Sequence, residues 1–401
     1  MTACTVCPRH SSRMSLSNTA TTVMAVVAAM TFSASGAAPT PLYQQYQETL
    51  GLTPFTLTII FAAYVLSLLM ALLTVGSLSD HIGRRPAILA ALSLNVVAMI
   101  MFVTADSAAA LIAARSVQGF ATGLATTALG AAILDTDRGR GPVLNSVTAF
   151  GGLTIGSLGT AALVTFAPDP GQLIYFVLLV ASVVEALVLW HMPETAEPKP
   201  GALASLRPQV SVPVQARRAL VLVTPVNIAS WALGGFYFSL MPSLVRVATG
   251  ATLPIVGGLV VAALTFSAAV TVLFSRSIPT ERIFLGGILA LALGVAITLV
   301  GVQIQFVALM LFGTVVSGSG FGAAFSGTIR TVMPLAKADE RAGLLSAFYV
   351  EGYLAFSLPA ILTGLFAPVV GLPLAADIYG AAVILLAVAS LLAASLSRDT
   401  R

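Results

Sequence analysis

Charge is what this sequence lacks most. Only 8% of its residues are charged, while 58% are hydrophobic and the mean hydropathy is +0.99. Water-soluble domains carry about 25% charged residues, so this chain has too little hydrated surface to fold as one. Cysteine and histidine are nearly missing, with 2 and 3 residues. A disulfide scaffold is therefore excluded, and His10, His81 and His191 show no metal-ligand spacing. Cys4 and Cys7 form a lone CxxC near His10 without a second ligand pair, which reads as a reduced polar tail and implies no metal. No phosphate-cradling glycine loop with its lysine occurs, and no G-x-S-x-G element stands with plausible partners. Enzyme classes find no support, and no basic aromatic surface points to nucleic acid.

What fills the chain is long apolar runs. Twelve reach the roughly 20 residues that one helical crossing of a bilayer needs: 22–43, 55–75, 87–104, 108–133, 143–166, 171–191, 219–243, 253–274, 283–302, 306–332, 344–366 and 375–396. They lack the alternation of barrel strands, so the fold class is an all-α integral membrane protein. Residues 1–21 do not have the pattern of a cleaved signal. Of the 19 Lys and Arg, sixteen fall on one side of the spans and only Arg246 on the other, with Arg115 and Arg330 inside them. The positive-inside rule places that majority, and both termini, in the cytoplasm of an inner (plasma) membrane protein. The net charge of +4 then reflects topology.

The longest polar segment, 192–218, separates an N-terminal half, 22–191, from a C-terminal half, 219–396, with tails at 1–21 and 397–401. Sliding the chain by half its length brings Pro41 onto Pro242, Gly119-Phe120 onto Gly320-Phe321 and Arg140 onto Arg341. Duplicated halves around a central axis are a known way to build a carrier.

Three local motifs sharpen this. "GSLSDHIGRR" places Gly76, Asp80, Gly83, Arg84 and Arg85 between the second and third spans. "RSVQGFATG" places Arg115 and Gln118 in the fourth, and "GGLTIGSLGT" places Gly151, Gly152, Gly156 and Gly159 in the fifth. Together with twelve spans in two halves, these resemble the major facilitator superfamily, the third motif resembling its antiporter branch except that Ser157 stands where that motif has proline. The resemblance implies two six-helix halves that rock around a central site, working as a monomer. It also implies a latch in which Asp80 faces the start of the eleventh span near Gly343, while Arg84 pairs with Asp135 or Asp137. From the residues alone, Asp80 in so short a loop is suited to accept hydrogen bonds from helix-terminal N–H groups.

Charges within spans are costly and mark pathways. Arg115, Glu185, Arg330 and Glu351 are such charges. The resemblance links Arg115 to proton transfer. Physically, a permanently charged arginine would act on a partner carboxylate, and either Glu351 or Glu185 is the titrating candidate. Arg330 reads as an anchor at a span end. The resemblance also implies a cavity lined by spans one, four, seven and ten, where Asn227, Trp231, Phe238, Phe321 and Phe325 suit a partly apolar organic ligand. Span one has no acid, so selectivity for cations is not indicated. The expected function is secondary active transport of small, partly apolar molecules, by proton-coupled efflux that uses the proton gradient and no cofactor. Proton-coupled uptake of a nutrient, or a non-transporting sensor, are the alternatives.

Overall fold

The computed structural model describes residues 18–168, 170–250, 253–337 and 340–399. Cys4, Cys7 and His10 lie outside the described residues.

Among the described residues, twelve helices are long and apolar enough to cross a membrane. They are α1 (Asn18–Ala37), α2 (Pro54–Val75), α3 (Arg84–Val103), α4 (Ala108–Thr136), α5 (Gly141–Phe166), α6 (Pro170–Leu189), α7 (Val214–Ser239), α8 (Pro254–Phe274), α9 (Thr280–Gln303), α10 (Val307–Val332), α11 (Arg341–Val370) and α12 (Leu372–Asp399). Their starts follow ordinary capping chemistry. Thr53 Oγ1 accepts from Thr56 N–H at 3.2 Å with Pro54 opening α2, and Ser107 Oγ accepts from Ala110 N–H at 3.3 Å before α4. The first apolar run is not one helix. Pro39 and Pro41 end α1, and the chain re-enters a short helix at Tyr43–Leu50. Helix α7 ends in the same way, with Pro242 near the start of a short helix at Met241–Thr249.

The packing repeats with a shift of six. In the first half α2 packs on α4, α3 on α4 and α6, and α1 on α5. In the second α8 packs on α10, α9 on α10 and α12, and α7 on α11. The halves meet along α5 against α8 and along α2 against α11, a pair of contacts that also exchange under the same shift. Large side chains such as Phe166, Leu187 and Leu385 point outward, which suits lipid and would be costly in water.

The face that carries the segment between α6 and α7 is called the linker face here, and its opposite the far face. Near the linker face each half keeps its own core. One holds Ala28, Phe32, Leu92, Leu129 and Met192, the other Ala216, Val223, Val332 and Leu344. Toward the far face and the middle, the cores are shared: Phe238, Val261 and Ala360 pack into the first half's cluster, and Phe150 into the second's. Thr40 Oγ1 donates to Phe238 O at 3.0 Å, and Ser157 Oγ donates to Gly258 O at 3.2 Å, across the same seam. The halves are thus joined on the far side of the membrane and packed separately on the linker side.

Candidate transport site and gate

In the first half the central polar group is Arg115, 1% exposed on α4. Its Nη1 donates to Gly36 O at 3.0 Å and to Gln118 Oε1 at 2.7 Å, and its Nη2 donates to Tyr43 Oη at 2.9 Å. Gln118 Nε2 donates in turn to Ser35 O at 2.8 Å. These carbonyls are available because α1 stops there. Pro39 has no N–H to give Ser35 O, and the last carbonyls of a helix carry the negative end of its dipole. The guanidinium carbon lies 4.6 Å from the centre of the Tyr64 ring, a cation–π contact. The expectation of a carboxylate partner for Arg115 is not met: among the described residues no Asp or Glu pairs with it. Glu185 is 5% exposed on α6, where Thr31 Oγ1 donates to its Oε1 at 2.5 Å and its Oε2 has no partner.

In the second half the central polar group is an acid. Glu351, on α11, accepts from Asn227 Nδ2 at 3.1 Å and from Thr224 Oγ1 at 3.1 Å, both on α7. One turn beyond Asn227 stands Trp231, centre of an aromatic cage. Its ring lies 4.8 Å from Tyr353, 5.9 Å from Phe356, 6.3 Å from Tyr349 and 6.4 Å from Phe325, all edge-on. Gly352 allows this approach, since a Cβ there would lie 2.6 Å from Trp231 Cε2. Phe150 of the first half adds edge contacts to Phe321 at 5.5 Å and Phe325 at 6.0 Å. Asn227 thus meets Glu351 directly, while Trp231 meets Phe325, and Phe321 joins them through Phe150. Phe238 is not; it packs in the far-face core against Phe356. The tyrosines and Phe356 were missed from sequence, although Tyr349, Glu351 and Tyr353 alternate in one short stretch of α11.

The loop between α2 and α3 forms a compact charged knot. Arg84 Nη1 lies 2.5 Å from Asp80 Oδ1 and donates to Ser79 Oγ at 2.7 Å, while its Nε lies 3.2 Å from Asp135 Oδ2. Of the two acids considered for Arg84, Asp135 is the one it meets. Asp137 instead accepts from Arg140 N–H at 2.9 Å at the start of α5. Asp80 turns to Arg84 and not to α11, where Ser211 of the linker donates its N–H to Gly343 O at 3.3 Å. The bonds from helix-terminal N–H groups expected of Asp80 go to a residue that sequence reading missed. Glu194, just past α6, accepts from Arg84 N–H at 2.7 Å and Arg85 N–H at 3.2 Å. Gly83 has φ +100°, and a Cβ there would lie 2.5 Å from Glu194 Oε2, so both its backbone and its space require glycine. Arg85 stacks over Trp190 at 5.3 Å, and Thr195 Oγ1 donates to Asp135 Oδ2 at 3.3 Å. The end of α6 thereby binds the knot to the first half.

Of the α5 glycines, Gly152 and Gly156 press against α1 at Met30 and Ala34, whereas Gly151 meets only the tip of Met30 and Gly159 faces open space. Gly159 makes no helix contact, because it lies on the outward side of the helix. Arg330 caps the end of the α8 segment, donating to Ser275 O and Ile278 O at 3.1 Å each.

A duplicated membrane fold of twelve spans among the described residues, with an inter-half seam, a buried polar centre in each half and a charged loop knot, defines the class of a polytopic membrane carrier. The model of the Major Facilitator Superfamily matches residues 22–354, and the chain belongs to that family. It is similar to the crystal structure of the nucleoside transporter NupG (D323A mutant), with a TM-score of 0.73 at 11% identity over 93% of this chain and 99% of that one. A shorter similarity, 40% identity over 65 residues and 16% of each chain, is to Multidrug resistance protein D of Escherichia coli (strain K12). The protein is a multi-pass membrane transporter of small molecules.

Proposed function

We propose that the protein exports small, partly apolar organic molecules in exchange for protons, as a single chain in the inner membrane with both termini and the linker face in the cytoplasm. The observation that carries this reading is the aromatic cage around Trp231 with Glu351 at its edge, positioned at the seam between halves that pack separately on the linker side. A ligand entering from that side meets apolar rings, a few polar points and one acid. Rocking of the halves about the seam would close the linker face and open the far one. The distribution of Lys and Arg supports the orientation, and the short stretch shared with a multidrug resistance protein supports export. The proton gradient is the proposed energy source, Glu351 the first-choice proton carrier and Glu185 the second. Proton-coupled uptake is the other reading: Ser157 replaces the proline of the antiporter motif and bonds across the seam to Gly258 O.

The test is proton movement in proteoliposomes across a panel of lipophilic compounds, comparing the parent with Glu351→Gln and Glu185→Gln. Compound-driven counterflow of protons that only Glu351→Gln abolishes supports export coupled on α11. Loss only in Glu185→Gln moves coupling to α6. Co-directional movement of compound and proton overturns export in favour of uptake.

A further inference from the structure

Helix α1 carries no acid and so no sign of cation selectivity, yet the fold supplies the acid from α11. We propose that the Trp231 cage binds an organic cation, a protonated amine or a quaternary ammonium, with Glu351 as its counter-charge. This rests on the transport reading for the purpose of the site, and its chemistry can be tested without flux.

The first support is charge. Both Glu351 oxygens are held by neutral donors, Asn227 and Thr224, and among the described residues no Lys, Arg or His pairs with it. The other central charge cannot serve, because Arg115 is spent on Gly36 O, Gln118 and Tyr43 beneath the Tyr64 ring. A carboxylate positioned by two hydrogen bonds but left without a cation is completed by a cationic ligand. It also disfavours anions and gives a neutral ligand nothing to compensate.

Shape is the second support. Tyr349, Tyr353, Phe325 and Phe356 pack edge-on against Trp231, one turn of α7 from the Asn227 that holds Glu351, so the acid stands beside an aromatic cluster. Aromatic rings beside a carboxylate favour ammonium groups, whose charge the ring quadrupoles attract. Glu351, Trp231, Tyr349 and Phe325 are all partly exposed, unlike Arg115, which is consistent with a lined opening as opposed to a packed core.

The experiment uses the full chain in lipid nanodiscs. The sequence has two tryptophans, so Trp190→Phe leaves Trp231 as the single reporter of the cage. The probes are benzyltrimethylammonium and neopentylbenzene, which share a shape and differ in charge. Saturable quenching by the cation at an affinity at least tenfold tighter than the neutral probe is expected. Glu351→Gln should weaken the cation at least tenfold and leave the neutral probe within twofold, while Glu351→Asp keeps the preference. Equal affinity for the two probes in the parent overturns the proposal without recourse to any variant. So does absence of saturable cation binding, or a folded Glu351→Gln protein that binds the cation within twofold of the parent. Cation binding with no proton-linked flux for any compound would leave this site standing and overturn the export reading. Export restricted to neutral compounds would do the reverse.

Discussion

The two halves share one packing plan but place opposite charges at their centres. In the first half a cation, Arg115, is fully buried and donates to one main-chain carbonyl, Gly36 O, and to the side chains of Gln118 and Tyr43. In the second an anion, Glu351, is held by side chains at the rim of an aromatic space. The surroundings differ in kind. Arg115 is closed in by packing and has a backbone carbonyl among its partners, whereas Glu351 is partly exposed and held only by Asn and Thr side chains, which can change rotamer when a ligand arrives. Duplication thus gave one half a fixed centre and the other an adaptable one.

Replacing the fixed centre should have the largest effect. Arg115→Met leaves Gly36 O, Gln118 and Tyr43 Oη without their donor, at about 1–3 kcal/mol for each unsatisfied buried group. Transport is expected to be lost and the thermal unfolding midpoint in detergent to fall by several degrees. Arg115→Lys should recover only part, since one ammonium cannot reproduce the guanidinium fork. An unchanged midpoint in Arg115→Met would mean that the first half is not held by this centre.

The adaptable centre should respond the other way. Glu351→Gln keeps one acceptor oxygen for Asn227 Nδ2, and the Thr224 hydroxyl can turn to accept from the new amide, so stability should stay within about 1 kcal/mol, while proton-linked flux falls at least tenfold. A variant that unfolds but still transports when stabilised would erase the contrast between the halves.

Smaller effects are expected at the knot. Glu194→Ala removes a cap from the start of α3, worth about 1 kcal/mol, and Gly83→Ala adds the strain of a left-handed backbone, about 1–3 kcal/mol. Both should lower the midpoint modestly, and the double variant should fall short of the sum because the two residues touch. Strict additivity in calorimetry would show that Glu194 and Gly83 do not act as a unit.

The smallest effect belongs to the exposed pair Arg246–Glu48, 2.8 Å apart across the seam on the far face. Exposed pairs contribute about 0–1 kcal/mol and weaken with salt. Arg246→Ala should widen the distance between spin labels placed on the two far-face short helices in a small fraction of molecules, and high salt should do the same to the parent. A wholesale opening would make this pair, and not the buried seam, the main closure.

The crossings were legible because hydropathy acts residue by residue along a helix. The edges matched to within about five residues, the run 344–366 passing through Pro359 as α11 does, except where Pro39 split the first run. Asn227, Trp231 and Phe325 were legible as a group because each is an unusual residue on a helix assigned to the cavity. The partners were harder. Glu194 meets the Arg84 N–H from 110 positions away, and nothing local marks a linker glutamate as a cap. Asp80 was placed against α11 by resemblance, but an i,i+4 neighbour of opposite charge lies closer than any other helix. Phe238 shows the opposite error: a correct helical face continued too far along α7 and reached the far-face core.

The separate packing of the halves on the linker side also has an electrical consequence. Where water reaches between them, the membrane potential cannot drop, so most of it falls across the sealed far half of the protein. A unit charge moved through the whole potential exchanges about 2.3 kcal/mol per 100 mV. A charge arriving at Glu351 from the linker face crosses little of that field while the protein stands as described here. Under the proposed rocking, the same charge would cross nearly all of it once the seam opened on the far side, and that movement would be the voltage-sensitive step.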